Sequence, residues 1–180
     1  MKRFTKVFLS SLSIALLVLT TVQLASAWLV DSSEELVNEF TPGTVTTTVE
    51  ENFDGETKEN VYIRNTGNID AYIRAAVIPV WKTESGDISG TPVTVAEFPE
   101  LPILPGWFRG SDGFYYHKNI VPPGQLTSLL IATFDMPVKP GLKFELQIIG
   151  SGIQANPKEA VMESWGVTVN PDKTLQGGAP

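Results

Sequence analysis

The chain has 180 residues, a formal net charge of −7 from 20 acidic and 13 basic side chains, no cysteine and one histidine. These counts exclude a disulfide framework, a thiolate metal site, a cysteine nucleophile and a zinc site built on two or three histidines. The acidic balance opposes nucleic-acid binding, which needs a basic face, and 42% apolar with 18% charged residues is too apolar for general disorder.

Residues 1–27 read as a signal peptide. Lys2, Arg3 and Lys6 form a basic start, and Val7 to Val22 is mostly apolar. Ala25-Ser26-Ala27 then places small residues at the two positions a signal peptidase reads, so cleavage is expected between Ala27 and Trp28. The apolar run, about 16 residues, is short for a membrane span of about 20. Cleavage would leave an exported chain more acidic than its precursor, because the leader holds three basic and no acidic groups. That chain is large enough to fold around one core without covalent staples.

Residues 28–43 have no hairpin partner nearby in sequence. Extended, Trp28 to Phe40 reaches about 40 Å at about 3.3 Å per residue. That exceeds the radius of gyration of about 15 Å expected for such a chain. Trp28, Val30, Leu36 and Phe40 are spaced by even numbers and share a face in a strand. A helix is an equal fit to the local pattern. Ser32 and Glu35 form a capping box, and Trp28, Ser32, Leu36 and Phe40 are also i, i+4 spaced. The segment therefore reads as a strand lent to another copy, as a helix packed on its own domain, as an edge strand of its own sheet, or as disordered.

From Thr44 the pattern turns to β. Thr44 to Val49 is β-branched. Val61 and Ile63 alternate inward, and Asn65 to Asn68 supply a turn. Ala71, Ile73, Ala75 and Val77 share one face, with Tyr72 and Arg74 on the other, and Pro79 limits this strand to an edge or ends it. Phe114 to Ile120 and Leu126 to Phe134 read as a further pair of strands, joined by Val121-Pro122-Pro123-Gly124-Gln125. Leu142, Phe144, Leu146 and Ile148 alternate with Lys143, Glu145 and Gln147, the pattern of a strand with one dry face. Thr83 to Leu104, rich in proline, reads as a surface loop. A helix is expected after the strands, with Asn156 as cap, Pro157 at its first position, Val161 and Trp165 on one face, and Gly166 at its end. The expected architecture is all-β: a jelly-roll-like two-sheet β-sandwich over residues 44–169 with one short C-terminal helix, followed by a flexible tail at 170–180.

Chemistry is sparse. His117 lies in a strand-like run and reads as a half-exposed strand residue rather than a catalyst. Glu34-Glu35 and Glu50-Glu51 read as solvating charges. Asp54 to Glu56, or Asp112 with Gly113, have oxygen ligands suited to calcium, but no Asp-x-Asp-x-Asp-Gly loop is present. Trp81, Trp107, Phe108, Tyr115 and Tyr116 read as core or rim, as a stacking surface for a glycan, or as a subunit interface. No catalytic residue, metal site or cofactor is expected.

Four segments carry a resemblance. Ala25-Ser26-Ala27-Trp28-Leu29-Val30-Asp31 runs on to Asn38-Glu39-Phe40-Thr41-Pro42-Gly43. The turn Asn65 to Asn68 precedes Asp70-Ala71-Tyr72-Ile73-Arg74. Gly106-Trp107 leads to Asp112-Gly113-Phe114-Tyr115-Tyr116 and Pro123-Gly124-Gln125-Leu126-Thr127. Ile153-Gln154-Ala155 precedes a short helix ending in Trp165-Gly166. In order and spacing this resembles the TasA/camelysin family, exported proteins handled by a SipW-type signal peptidase. The resemblance implies a jelly-roll sandwich, export to the cell surface, and assembly into extracellular or biofilm-matrix fibres. Some members carry a metalloprotease label; the absence of His-Glu-x-x-His keeps that activity from being carried over.

The expected role is a secreted structural subunit that assembles head to tail, Trp28, Val30, Leu36 and Phe40 of one copy completing a sheet edge on the next. Its partners would be further copies, other matrix proteins or cell-wall glycan, and the signal peptidase during export. The alternative is a monomeric cell-surface adhesion or glycan-binding module.

Overall fold

The structure, a computed structural model, describes residues 42–177 and the isolated positions 3, 4 and 17. The leader, its Ala27/Trp28 junction and the segment carrying Trp28, Val30, Leu36 and Phe40 therefore lie outside the described residues. The chain divides after Thr41, and the unit that begins at Pro42 holds all the strands described.

Nine strands and one helix succeed one another in that unit: β1 (Thr47–Phe53), β2 (Thr57–Asn65), β3 (Ala71–Thr83), β4 (Trp107–Arg109), β5 (Tyr115–His117), β6 (Ile131–Asp135), β7 (Leu142–Gln154), α1 (Glu159–Trp165), β8 (Thr168–Val169) and β9 (Leu175–Gln176). All pairings are antiparallel. One sheet has the order β1-β2-β6, a second the order β4-β5-β3-β7, and β8 with β9 forms a small third.

β1 and β2 form a hairpin closed by the Asp54 carboxylate, which accepts from the backbone N–H groups of Glu56 (2.9 Å) and Thr57 (2.7 Å). Within β2, Asn60 has φ 52°, and the opposing strand slips register between Glu50 and Asn52. Such a bulge reverses the inside-outside alternation. Beyond it Val61 and Ile63 are fully buried, as their spacing predicts; before it the inward residue is Lys58.

β3 runs unbroken through Pro79, paired with β7 from Ala71↔Gln154 to Thr83↔Leu142. Proline does not end it, and the reason lies in the ladder. Ala71 exchanges backbone hydrogen bonds with Val121, and Trp81 accepts from the N–H of Ser89. Odd positions of β3 thus direct their backbone groups away from β7, and β5 pairs only with Arg74 and Ala75. Pro79 lacks an N–H on a side where no ladder is present.

The segments 114–120 and 126–134 do not pair with each other. β5 joins β3 and β4, whereas β6 joins β2 in the other sheet. Pro122 to Gly124 form the corner between the sheets. The fully buried Asn65 side chain fixes it, donating to the carbonyls of Ile69 and Val121 (both 2.8 Å) and accepting from the N–H of Gly67 (3.0 Å).

Val61, Ile63 and Ile131 from the first sheet meet Ile73, Ala75, Trp81, Phe144 and Leu146 from the second in one core. The arrangement is compatible with an all-β sandwich. The 84–106 segment is more than a surface loop. Leu101 is buried, the ring of Phe98 lies edge-on to Phe134 at 5.4 Å, and Glu97 is tied to the sandwich.

A second core covers the outer face of the four-stranded sheet. Tyr72 and Tyr116 pack there with Val161 of α1 and with Val167 and Leu175. Val161 and Trp165 share the buried face of α1 as expected, and Gly166 ends the helix in the left-handed region at φ 65°, its N–H bonded to the carbonyl of Met162. The start differs: Lys158, not Asn156, is the cap, and no side chain caps the helix. Residues 170–176, expected as tail, belong to the β8–β9 hairpin, held by Tyr72 Oη donating to the carbonyl of Lys173 (2.9 Å) and by the N–H of Leu175 bonding the carbonyl of Lys118 (2.7 Å).

Candidate functional site

At one end of the sandwich a cleft of about 900 Å³ opens where the β1–β2 turn, the segment after β3 and the connection between β6 and β7 meet. Its apolar lining includes Phe53, Met136, Phe144 and Leu146, and its charged lining includes Lys58, Lys82 and Glu145. Phe53 is half exposed, and Val138 on the rim is almost wholly so.

The cleft lies at strand ends of both sheets: Phe53 of β1 and Leu142–Leu146 of β7 line it beside the ends of β2, β3 and β6. Among the described residues β1 pairs only with β2, and β7 only with β3. These borders lie on the same side of the sandwich. Near its entry β1 touches β7, because Gly150 and Gly152 carry no side chains: a Cβ on Gly152 would lie 2.5 Å from Cγ1 of Val45, and one on Gly150 3.1 Å from Oγ1 of Thr47. Towards Phe53 and Leu142 the two borders line the cleft instead.

Chain entry lies at the opposite end. Asn68 clamps it, accepting from the N–H of Thr44 (2.6 Å) and donating to the carbonyl of Pro42 (3.1 Å). β1 then runs its seven residues, about 20 Å at the usual strand rise, before reaching the cleft. Pro42, the first described residue of the unit, thus lies at the far pole from the cleft.

Lys58 and Lys82 in the cleft are each ion-paired. Lys58 Nζ bonds Glu51 Oε1 at 2.6 Å and lies 5.5 Å from the centre of the Phe53 ring. Lys82 meets Glu145 at 2.5 Å, and the hydrogen bonds from Lys82 and then Gln147 hold the Glu145 carboxyl below its ordinary value. Sequence pattern alone does not reveal Lys58, because its inward orientation depends on the positive φ of Asn60. An asparagine before a Val-x-Ile alternation is the one available signal.

The other candidates are structural. His117 is buried: its Nδ1–H donates to the carbonyl of Asn119 (2.8 Å), and Nε2 accepts from the N–H of Ser128 (3.1 Å). Burial pushes its imidazole below the ordinary value, outweighing the opposite effect of the Asn119 bond. Both ring nitrogens are used, so neither is free for proton transfer. Glu50 pairs with Arg64, and Glu51 with Lys58, from opposite faces of β1. The Asp54 carboxylate closes its turn, and Asp112 accepts from the N–H of Phe114 (3.2 Å) and from Tyr116 Oη (2.7 Å). No group of three or more metal-ligating side chains occurs among the described residues.

Trp81, Trp107, Tyr115 and Tyr116 are all buried. Trp81 packs edge-on to Phe144, and Trp107 packs against His117 while its Nε1–H donates to the carbonyl of Ser128 (3.1 Å). Phe108 stacks on Tyr116 at 5.2 Å, and Gly177 approaches its ring. The rings suited by type to stacking on a glycan are used within the two cores. Comparison of the chain with protein-family models, with curated proteins and with solved structures gives no significant match.

Proposed function

We propose that the mature chain is a secreted structural subunit that self-associates head to tail, residues 28–40 of one copy entering the cleft of the next. In this reading the leader is cut between Ala27 and Trp28, the sandwich has jelly-roll-like connections, and the product is an extracellular or matrix fibre of the kind the TasA/camelysin resemblance implies. No catalytic role is assigned. The observation that carries the reading is the opposed placement of chain entry and cleft. Pro42 is clamped at one pole, and the cleft opens at the other, where residues 142–146 of β7 line it.

The β7 border is open to an added strand over Leu142–Leu146, where it lines the cleft. An added strand satisfies border N–H and C=O groups through main-chain pairing, while Trp28, Leu36 and Phe40 find apolar lining. A contact between different surfaces at opposite poles propagates unless it closes into a ring. The test is electron microscopy and sedimentation of protein starting at Trp28. Filaments are expected, and deletion of residues 28–40 should leave folded monomers. Filaments of unchanged length from the deleted protein would overturn the reading.

A further inference from the structure

We infer that the receiving edge of the assembly is the main chain of Phe144 and Leu146, and that the added strand of a second copy runs antiparallel to β7. This rests on the assembly reading and adds to it which border receives the strand and in which direction.

The first observation is where the backbone groups of β7 point. Ala71 exchanges hydrogen bonds with Val121, and Trp81 accepts from Ser89, so odd positions of β3 turn away from β7 and even positions turn towards it. The register sets Lys82 against Lys143, Val80 against Glu145 and Ile78 against Gln147. Odd positions of β7 are therefore bonded to β3, and Phe144 and Leu146 direct their N–H and C=O groups to the free border. Among the described residues nothing bonds them there. Leu146 is 1% exposed and Phe144 9%, and backbone groups so placed need partners. The stretch is bounded. Leu142 already donates its N–H to the carbonyl of Lys139, and Gly150 and Gly152 lie against Thr47 and Val45. Phe144 and Leu146 both line the cleft between these limits. The outer side of β3 gives the contrast, because Pro79 has no N–H to offer an added strand.

The second observation is the polarity of the strands. β7 runs from Leu142 at the cleft towards the pole where Asn68 clamps Pro42, and β1 runs the opposite way, ending at Phe53. In a head-to-tail contact the donor body stands outside the cleft. Its added segment is joined to that body through Pro42, at the C-terminal end of the segment. The N-terminal end therefore lies deepest, towards the entry pole of the receiving copy. A strand so directed is antiparallel to β7 and parallel to β1. Antiparallel pairing is the more stable per residue, so β7 rather than β1 receives it. The donor residue opposite Phe144 exchanges both N–H···O bonds with it, and so does the donor residue two positions earlier, opposite Leu146.

The experiment uses the chain starting at Trp28, labelled with ¹⁵N. Assembled and free protein are exposed to deuterated water for matched times, then dissociated and read by NMR. The amides of Phe144 and Leu146 should exchange about a hundredfold more slowly in the assembled fraction, whereas those of Lys143 and Glu145, bonded to β3, should be slow in both. Phe144→phenyllactate keeps the ring and puts an ester oxygen in place of the N–H. It should leave the thermal melt unchanged and lower the sedimenting fraction about tenfold. The chain has no cysteine, so Val138→Cys carries a single photocrosslinker on the cleft rim. Capture of residues 42–44 of a second copy is expected. Capture of the rim of a second copy would instead show two β7 borders paired with each other and overturn the inference. Unchanged exchange at Phe144 and Leu146 on assembly would also overturn it, and the assembly reading would survive that result if deletion of residues 28–40 still gave monomers. A chain starting at Trp28 that stays monomeric would overturn both.

Discussion

Glu97 and Lys139 meet at 2.8 Å beside the indole of Trp81, whose Nε1–H points at the same carboxylate (3.4 Å) and whose ring lies 5.1 Å from the lysine nitrogen. This contact fastens the 84–106 segment to the sandwich. The bond from Lys139, then that from the N–H of Thr94, lowers the Glu97 carboxyl to about 2 from an ordinary 4.5. A depressed carboxylate contributes stability that is complete above its unfolded value and is lost as pH falls through its folded one. Thermal melts should therefore decline from about pH 4.5 towards about pH 2. Glu97→Gln should melt lower at pH 7 and show a shallower decline across that window. An identical acid profile for the variant would show that other carboxylates govern acid unfolding.

His117 gives a second pH signature of the opposite chemical kind. Burial disfavours its charged form, so its folded value lies below the ordinary 6.5. Below about pH 6.5 the unfolded chain takes up a proton that the folded chain refuses. Stability from this group is therefore full above that pH and falls on acidification. The melting temperature should drop between pH 7 and pH 5, and His117→Asn should flatten that interval. The substitution should also cost about 2 kcal/mol at pH 8, by leaving the carbonyl of Asn119 and the N–H of Ser128 short of a partner. Urea titrations at pH 8 and pH 5 measure both effects.

The Asn65 side chain joins the two sheets, bonding the carbonyls of Ile69 and Val121 while accepting from Gly67. Asn65→Ala leaves two inward carbonyls without this donor and should cost about 3 kcal/mol in urea unfolding. Asn65→Asp should be worse, because an ionised carboxylate would face those same carbonyls. Asn68→Ala acts at the chain entry instead. It removes the clamp on Pro42 and Thr44 at an exposed site, so a loss of about 1 kcal/mol is expected.

Short-range periodicity made most of the strands legible. Val61 with Ile63, the odd positions of β3 from Ala71 to Val77, and the alternation from Leu142 to Ile148 are set by neighbours two residues apart, and each points inward as its spacing predicts. Val161, Trp165 and Gly166 follow from helical spacing and a left-handed cap. What escaped depends on distant partners. Glu97 buries its segment because Lys139 lies 42 residues away, and Tyr72 holds the final hairpin from 101 residues away. Lys58 faces inward because of one backbone angle at Asn60. The cleft is formed by three connections far apart in the chain, and no local pattern encodes their convergence.

The contact between β1 and β7 at the entry end depends on the absence of side chains. A Cβ at Gly152 would stand 2.5 Å from Cγ1 of Val45, 3.2 Å from Cγ2 of Thr47 and 3.7 Å from the carbonyl oxygen of Tyr72. The two methyl groups belong to β-branched side chains with restricted rotamers, so relief requires the strands to part. Gly152→Val should cost about 1–3 kcal/mol in urea unfolding, with Gly152→Ala at the lower end. Gly90, where an added Cβ meets nothing within 4 Å, provides the control. Gly90→Ala should stay within about 0.5 kcal/mol of the parent. Because the cleft lies at the other end of these strands, Gly152→Val should change filament growth no more than its stability loss explains. Growth rates measured at matched fractions of folded protein check this, and a larger slowing would place the receiving edge at the glycine end.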